Sequence, residues 1–213
     1  MSITIVKPED IETRSMEIIV SELDGRTWPE PTFSVVRRCI HTSADFDYAD
    51  NLVFSEDAAE IGVRVMREGA DIVTDTKMAA AGINKAKLGS YGGQVHCYIS
   101  DDDVVAEAKK RGTTRATVSM ERGAEVAKGK PVVFAIGNAP TALVRICELI
   151  DEGRLKPALV IGAPVGFVNV VEAKEMLMEV LDRHGIPYIV PKGRKGGSNI
   201  AATICNSMIY YKG

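Results

Sequence analysis

Three short apolar runs, each followed by a glycine- or proline-bearing loop and then a helix-forming stretch, leave this chain few folds to adopt. They are Pro-Val-Val-Phe-Ala-Ile at 131–136, Pro-Ala-Leu-Val-Ile at 157–161 and Ile-Pro-Tyr-Ile-Val at 186–190. Each is continuous in apolar residues rather than alternating, the pattern of a strand buried on both faces. Helical stretches follow at about 140–150, 171–184 and 198–210. Such alternation packs parallel strands between two layers of helices. We therefore expect an α/β chain: a three-layer α/β/α arrangement with a mostly parallel sheet, one domain over residues 1–213 and a helical segment at its N-terminus.

The earlier residues extend the pattern. Pro8 to Leu23 predicts a first helix, with Ile11, Ser15, Ile18, Ile19 and Leu23 at three- and four-residue steps. Pro29 and Pro31 interrupt the chain before a second helix over Phe33 to Ile40. A strand is expected at Asn51–Phe54, a helix capped by Ser55 and running to Glu68, and a strand at 70–74. A short helix or loop at 75–83, a strand over Gln94–Ile99, and helices at 101–111 and 114–127 complete the reading.

Composition narrows the function. A length of 213 residues buries a real core. A net charge of -3 argues against a nucleic-acid partner held by charge. No apolar run approaches the roughly 20 residues of a membrane span. The first residues run into Lys7, Glu9 and Asp10, unlike a secretory signal. Cys39, Cys97, Cys147 and Cys205 lie far apart without C-x-x-C or zinc spacing, as buried free thiols of a cytoplasmic protein would.

In such folds ligands bind outside the carboxyl ends of the strands. That rule selects the loops at 74–78, 100–103, 137–141, 162–167 and 192–198. Gly193-Arg-Lys-Gly-Gly-Ser198 offers two cations, flexible backbone and a helix start, hence an anion site; it lacks the P-loop pattern. Gly162-Ala-Pro-Val-Gly166 has the wrong spacing for a dinucleotide turn, and Pro164 removes a needed N–H. Asn138 is the expected N-cap of the helix behind it, with exposed N–H groups at 137–139 facing the ligand.

Among the three histidines, His96 falls inside an expected strand and His184 at a helix end, where it offsets the dipole. His41 is left as the acid–base candidate. Arg38, three residues earlier, supplies a cation on the same helix face. Ser15 reads equally as a buried helix hydroxyl. Arg115 opens a helix, where a cation is unfavourable, a hint of an anion nearby. Neither a G-x-S-x-G elbow nor an H-E-x-x-H pair is present.

Taken together, several stretches resemble one family. They are Arg38-Cys-Ile-His41 with Asp45, Asp75-x-x-Met78 with Gly82-Ile83, and Gly137-Asn-Ala-Pro-Thr-Ala-Leu143. Lys156-Pro-Ala-Leu-Val-Ile-Gly162, Pro164-Val-Gly-Phe-Val168 with Glu172 and Lys174, and Gly193-Arg-Lys-Gly-Gly197 with Asn206 add to them. This set resembles the precorrin-8X (cobalt-precorrin-8) methylmutase family of cobalamin biosynthesis. The resemblance implies an isomerase that moves a methyl group from C-11 to C-12 of a multiply carboxylated corrinoid, giving a cobyrinate-type product. It implies a homodimer with the active site near the subunit interface. The family's catalytic histidine falls on His41, as proton donor or acceptor. Its substrate-binding serine and arginine fall on Ser15 and Arg38, and a further arginine on Arg115. Thr76, Asn138, Gly166, Arg194, Gly196 and Gly197 are the other expected substrate contacts. No protein-held cofactor, metal site, nucleic acid or membrane is implied; cobalt, where present, arrives within the substrate. Thr76-Lys77 after Asp75, and Ala173 before Lys174 where serine is expected, depart from the family pattern. Two rivals remain open: a corrinoid carrier without chemistry, and a phospho-sugar isomerase using the 193–198 loop for phosphate.

Overall fold

Apolar strands flanked by amphipathic helices collapse here onto one six-stranded sheet. The computed structural model describes residues 7–213. After a 3₁₀ turn at Pro8–Asp10 come helices α1 (Ile11–Glu22), α2 (Thr32–Ser43) and α3 (Tyr48–Asn51), then strand β1 (Leu52–Phe54). Next are α4 (Ala58–Arg67), β2 (Asp71–Thr74), α5 (Lys77–Gly82), α6 (Lys85–Gly89), β3 (Val95–His96), α7 (Asp102–Arg111) and α8 (Arg115–Val126). The chain closes with β4 (Val132–Ile136), α9 (Pro140–Asp151), β5 (Leu159–Gly162), α10 (Val170–His184), β6 (Tyr188–Pro191) and α11 (Ser198–Ile209). The strand order is β1-β6-β5-β4-β2-β3. All pairings are parallel except β1 against β6, which is antiparallel.

The three-layer expectation holds, and the sheet's pleat shows why. Val133, Ala135, Leu159, Ile161 and Ile189 face one way, into a core shared with α1, α2, α4 and α11. Val132, Phe134, Ile136, Val160 and Val190 face the other way, toward α8, α9 and α10. Both sets are fully buried, so every second residue serves a different layer. Each such side chain contributes about 1.5–3 kcal/mol by leaving water. The first helix does less than its spacing predicts: Ile19 and Leu23 are buried, whereas Ile11 and Ile18 stay exposed.

Four local expectations change. The strand foreseen over Gln94–Ile99 shrinks to Val95–His96, because it pairs with β2 alone and then turns away as Tyr98 stacks on His96. His96 is satisfied, as expected, by Asp71 Oδ2 at 2.9 Å. Ser55 does not cap α4. Its hydroxyl accepts from Tyr188 N–H, while its own N–H donates to the Tyr188 carbonyl, lengthening the β1–β6 ladder. The ambiguous stretch after Asp75 is a helix, with Thr76 as its N-cap accepting from Ala79 N–H. Finally, Cys97 is only half-buried; the other three thiols are buried, and burial pushes those of Cys147 and Cys205 up to about 12.

Candidate active site

The parallel strands deliver their following loops to one edge of the sheet. β2 runs into Asp75, β4 into Gly137, β5 into Gly162–Pro164 and β6 into the 192–197 loop. Asp75 sits at the centre of this edge, buried, with Oδ1 accepting from Gly137 N–H at 2.8 Å. Its Oδ2 accepts from Asn138 N–H at 2.9 Å and from Ala139 N–H at 2.7 Å. Burial pushes this carboxyl upward, and the three backbone donors pull against that. The capping anion of α9 is thus Asp75 from a distant segment, not Asn138, and the cap position itself is Ala139. The expectation that N–H groups at 137–139 hold substrate carboxylates fails for the same reason: Asp75 occupies them.

Gly137 has no room for a side chain. A Cβ there would lie 2.6 Å from Ser198 Cα, so the starts of α9 and α11 are in backbone contact. Thr76 Oγ1 shares a 2.7 Å hydrogen bond with Ser198 Oγ, tying α5 to the same point. Around this junction lies an open cleft of about 550 Å³, lined by Thr76, Lys77, Ser100, Arg115, Asn138 and Thr141 among others. Arg115 is the first residue of α8, with Thr114 capping behind it. Three of the expected substrate contacts, Thr76, Arg115 and Asn138, therefore meet in one cleft.

His41 and Ser15 meet in another. They line a cavity of about 230 Å³ between α1 and α2, walled by Ile18, Ile19, Ile40 and Phe46. His41 is exposed in the last turn of α2, just before Ala44 ends the helix in a left-handed conformation. Arg38 shares its helix face but is drawn outward by Glu12 of α1, at 2.8 Å. It lines a smaller hollow with Met16, Ser34 and Arg37 instead.

The 192–197 loop lies between these two regions. Lys195 Nζ reaches Asp45 Oδ2 and Asp47 Oδ2, both at 2.5 Å, just beyond His41. These contacts hold the Asp45 carboxyl below its ordinary range and raise the Lys195 ammonium. Lys174 is buried, with no carboxylate partner among the described residues. It donates to the carbonyls of Gly193 at 2.9 Å and Lys195 at 2.7 Å, and burial brings its ammonium down to about 8. Arg194 stacks on Phe167, its guanidinium carbon 5.4 Å from the ring centre. Gly197 N–H donates to the Ala163 carbonyl at 2.8 Å and is not available to an anion, contrary to expectation. Gly166 N–H likewise reaches the Arg194 carbonyl.

Sequence reading names Lys174 only as part of the family pattern and gives it no role, although α10 carries a signal. Val170, Ala173, Lys174, Leu177 and Leu181 are its buried residues at three- and four-residue steps, so a lysine falls on an apolar face. Asp75 gives no comparable sign, because its three partners are 62 to 64 residues away.

Gly196 is pinned by shape. A Cβ would lie 2.4 Å from the Ala163 carbonyl oxygen and 2.7 Å from that of Pro164, both backbone atoms. Gly196→Ala is expected to cost on the order of 1–3 kcal/mol by forcing the loop off its neighbour. Urea unfolding measures that cost, and an unchanged midpoint would contradict the packing.

Among the described residues, no group of three or more His, Cys, Asp and Glu side chains is placed to hold a metal ion. Nor is any helix long and apolar enough to cross a membrane.

A family model described as precorrin-8X methylmutase matches residues 10–211, which takes in both cavities and the loop between them. The chain belongs to the precorrin-8X methylmutase family. Family membership makes it an isomerase, as the sequence motifs implied. The cobalt-precorrin-8 methylmutase of Salmonella typhimurium is 42% identical over 214 residues, covering 97% of each chain. That of Priestia megaterium is 42% identical over 95% of this chain and 88% of its own length. The precorrin-8X methylmutase of Pseudomonas aeruginosa is 42% identical, with 93% of each chain covered. The crystal structure of the precorrin-8X methylmutase from Thermus thermophilus superposes with a TM-score of 0.83 at 37% identity, covering 94% of this chain and 96% of that one.

Proposed function

We propose that this methylmutase moves a methyl group from C-11 to C-12 of a corrinoid macrocycle, with His41 as the proton donor and acceptor. The observation that carries the reading is the placement of His41: exposed, in the last turn of α2, beside an apolar-walled cavity that it shares with Ser15. In the shift, the methyl carbon's bond to C-11 breaks as its bond to C-12 forms within the same molecule. No protein nucleophile is required. A proton placed by His41 on a ring nitrogen biases the macrocycle's conjugation toward product, and the same imidazole takes it back.

The surrounding chemistry supports a large, acidic, flat ligand. Arg115, Lys77 and Arg194 supply cations for peripheral carboxylates. Met78, Phe167 and Val168 stand mostly exposed, at 70, 83 and 77%. Large apolar side chains left in solvent beside a cleft mark a surface that something else covers. A macrocycle's face is apolar and its rim is charged, which matches this mixture. Binding to the cobalt form is favoured by the names of the Priestia and Salmonella relatives.

His41 and Ser15 line one cavity and Arg115 and Asn138 another, with no residue in common. A homodimer, in the cytoplasm, is the assembly in which both sets would serve one ligand. Sedimentation at micromolar concentration should give twice the 23.0 kDa chain mass. An absorbance titration with a cobyrinate-type corrinoid, followed by turnover of cobalt-containing and metal-free precorrin-8, tests the reaction. Binding with turnover of either is the expected result. Binding without turnover would leave a carrier protein, and no binding would send attention back to the basic loop as a phosphate site.

A further inference from the structure

Lys195 is held at both ends. Its side chain bridges Asp45 and Asp47, four and six residues beyond His41. Its backbone carbonyl, with that of Gly193, accepts from the buried Lys174. The residue between the two gripped carbonyls is Arg194, stacked on Phe167. A lysine with 1% exposure and no acidic partner among the described residues is costly unless its ammonium is hydrogen-bonded, and these two carbonyls accept from it. The loop is also tied to the segment after β5, through Gly166 N–H to the Arg194 carbonyl and Gly197 N–H to the Ala163 carbonyl, and the two lysines add its ties to α10 and to the segment after α2.

We propose that Lys174 and Lys195 form a clamp that positions the 193–197 loop against the His41 end of α2, making both of them positioning residues for the methylmutase reaction. The proposal rests on the reading that His41 acts on a corrinoid held partly by this loop. Lys174 fixes the loop to α10 from inside the protein. Lys195 fixes it to the segment following His41 from outside. With both in place, a carboxylate held by Arg194 sits at one distance from the His41 imidazole. With either absent, substrate still binds but at a variable offset, and proton transfer tolerates little misplacement.

The test compares wild type with Lys195→Met, Lys195→Arg and the double change Asp45→Asn with Asp47→Asn. Turnover of precorrin-8, affinity for a cobyrinate-type product and thermal midpoint are measured for each. Lys195→Met should lower kcat at least tenfold, change product affinity less than threefold and leave the midpoint nearly unmoved, since exposed ion pairs stabilise little. The double asparagine variant should match it, and adding Lys195→Met to that variant should cost nothing more. Lys195→Arg should recover most of kcat, because a guanidinium also spans two carboxylates. A Lys195→Met enzyme with kcat within twofold of wild type overturns the clamp while leaving the reaction in place. A loss confined to the thermal midpoint does the same. If wild type binds product but fails to turn over substrate, the functional reading falls and the clamp falls with it.

Discussion

Replacing His41 with alanine is expected to cut turnover by roughly 10²- to 10⁴-fold, the range over which a positioned acid–base side chain contributes. Corrinoid binding should change little, because the imidazole is one of several residues lining its cavity and the cations proposed for substrate carboxylates lie elsewhere. Folding should change little too. His41 is exposed in the last turn of α2, where its loss removes at most a helix-dipole contribution of about 0.3–1 kcal/mol. Side-by-side absorbance titrations and turnover assays separate the two effects. A His41→Ala enzyme with wild-type kcat would remove the proton role and leave His41 as a helix-end residue. A variant that no longer binds product would instead make His41 a binding group.

Asp75→Ala is expected to be the most damaging single change to the fold at this edge. It would leave the N–H groups of Gly137, Asn138 and Ala139 without their acceptor in a buried setting. Stranding buried donors costs about 1–3 kcal/mol for a single group, so a total of about 3 kcal/mol or more is expected. For a chain of this length that lowers the thermal midpoint by roughly 6–12 °C. Asp75→Asn should fall between. Its oxygen can serve Asn138 and Ala139, but its NH₂ then meets the Gly137 N–H, donor against donor. Calorimetry on the three proteins gives the order, and an asparagine variant as stable as wild type would contradict it. Activity should fall with stability here, since Gly137 touches Ser198, which shares its hydroxyl bond with Thr76.

The two changes mark what was legible beforehand and what was not. The central strands announced themselves because residues such as Val132 to Ile136 are buried on both faces, so each must be apolar. β3 was overestimated because an edge strand's length is decided by its single neighbour, which its own residues do not encode. A helix start was readable at Thr114, where the cap is local, and was misread at Asn138, where it is remote. Asn138 looks like a cap in sequence, yet the fold had already placed Asp75 there. His41 could be singled out because the other two histidines had ordinary duties, and both keep them: His96 on Asp71 and His184 on Asp151. The split of the expected contacts between two cavities could not be read at all. It depends on how α1 and α2 pack relative to α8, which is a matter of tertiary geometry.

The antiparallel pairing of β1 with β6 bears on how the chain is made. Phe54 pairs with Ile189, so the first strand synthesised has its partner almost at the end of synthesis. At 5–20 residues per second, β1 waits about 7–27 seconds for β6 to appear. In that interval β1 lacks its sheet neighbour, and α2, though packed on α1 and α3, lacks α11. Long-range pairing of this kind slows folding and leaves sticky surface open. Asp45 and Asp47, close upstream of β1, keep charge beside that waiting strand before Lys195 exists to meet it. The same two carboxylates that end up holding the loop thus begin as solubilising groups on an unfinished protein.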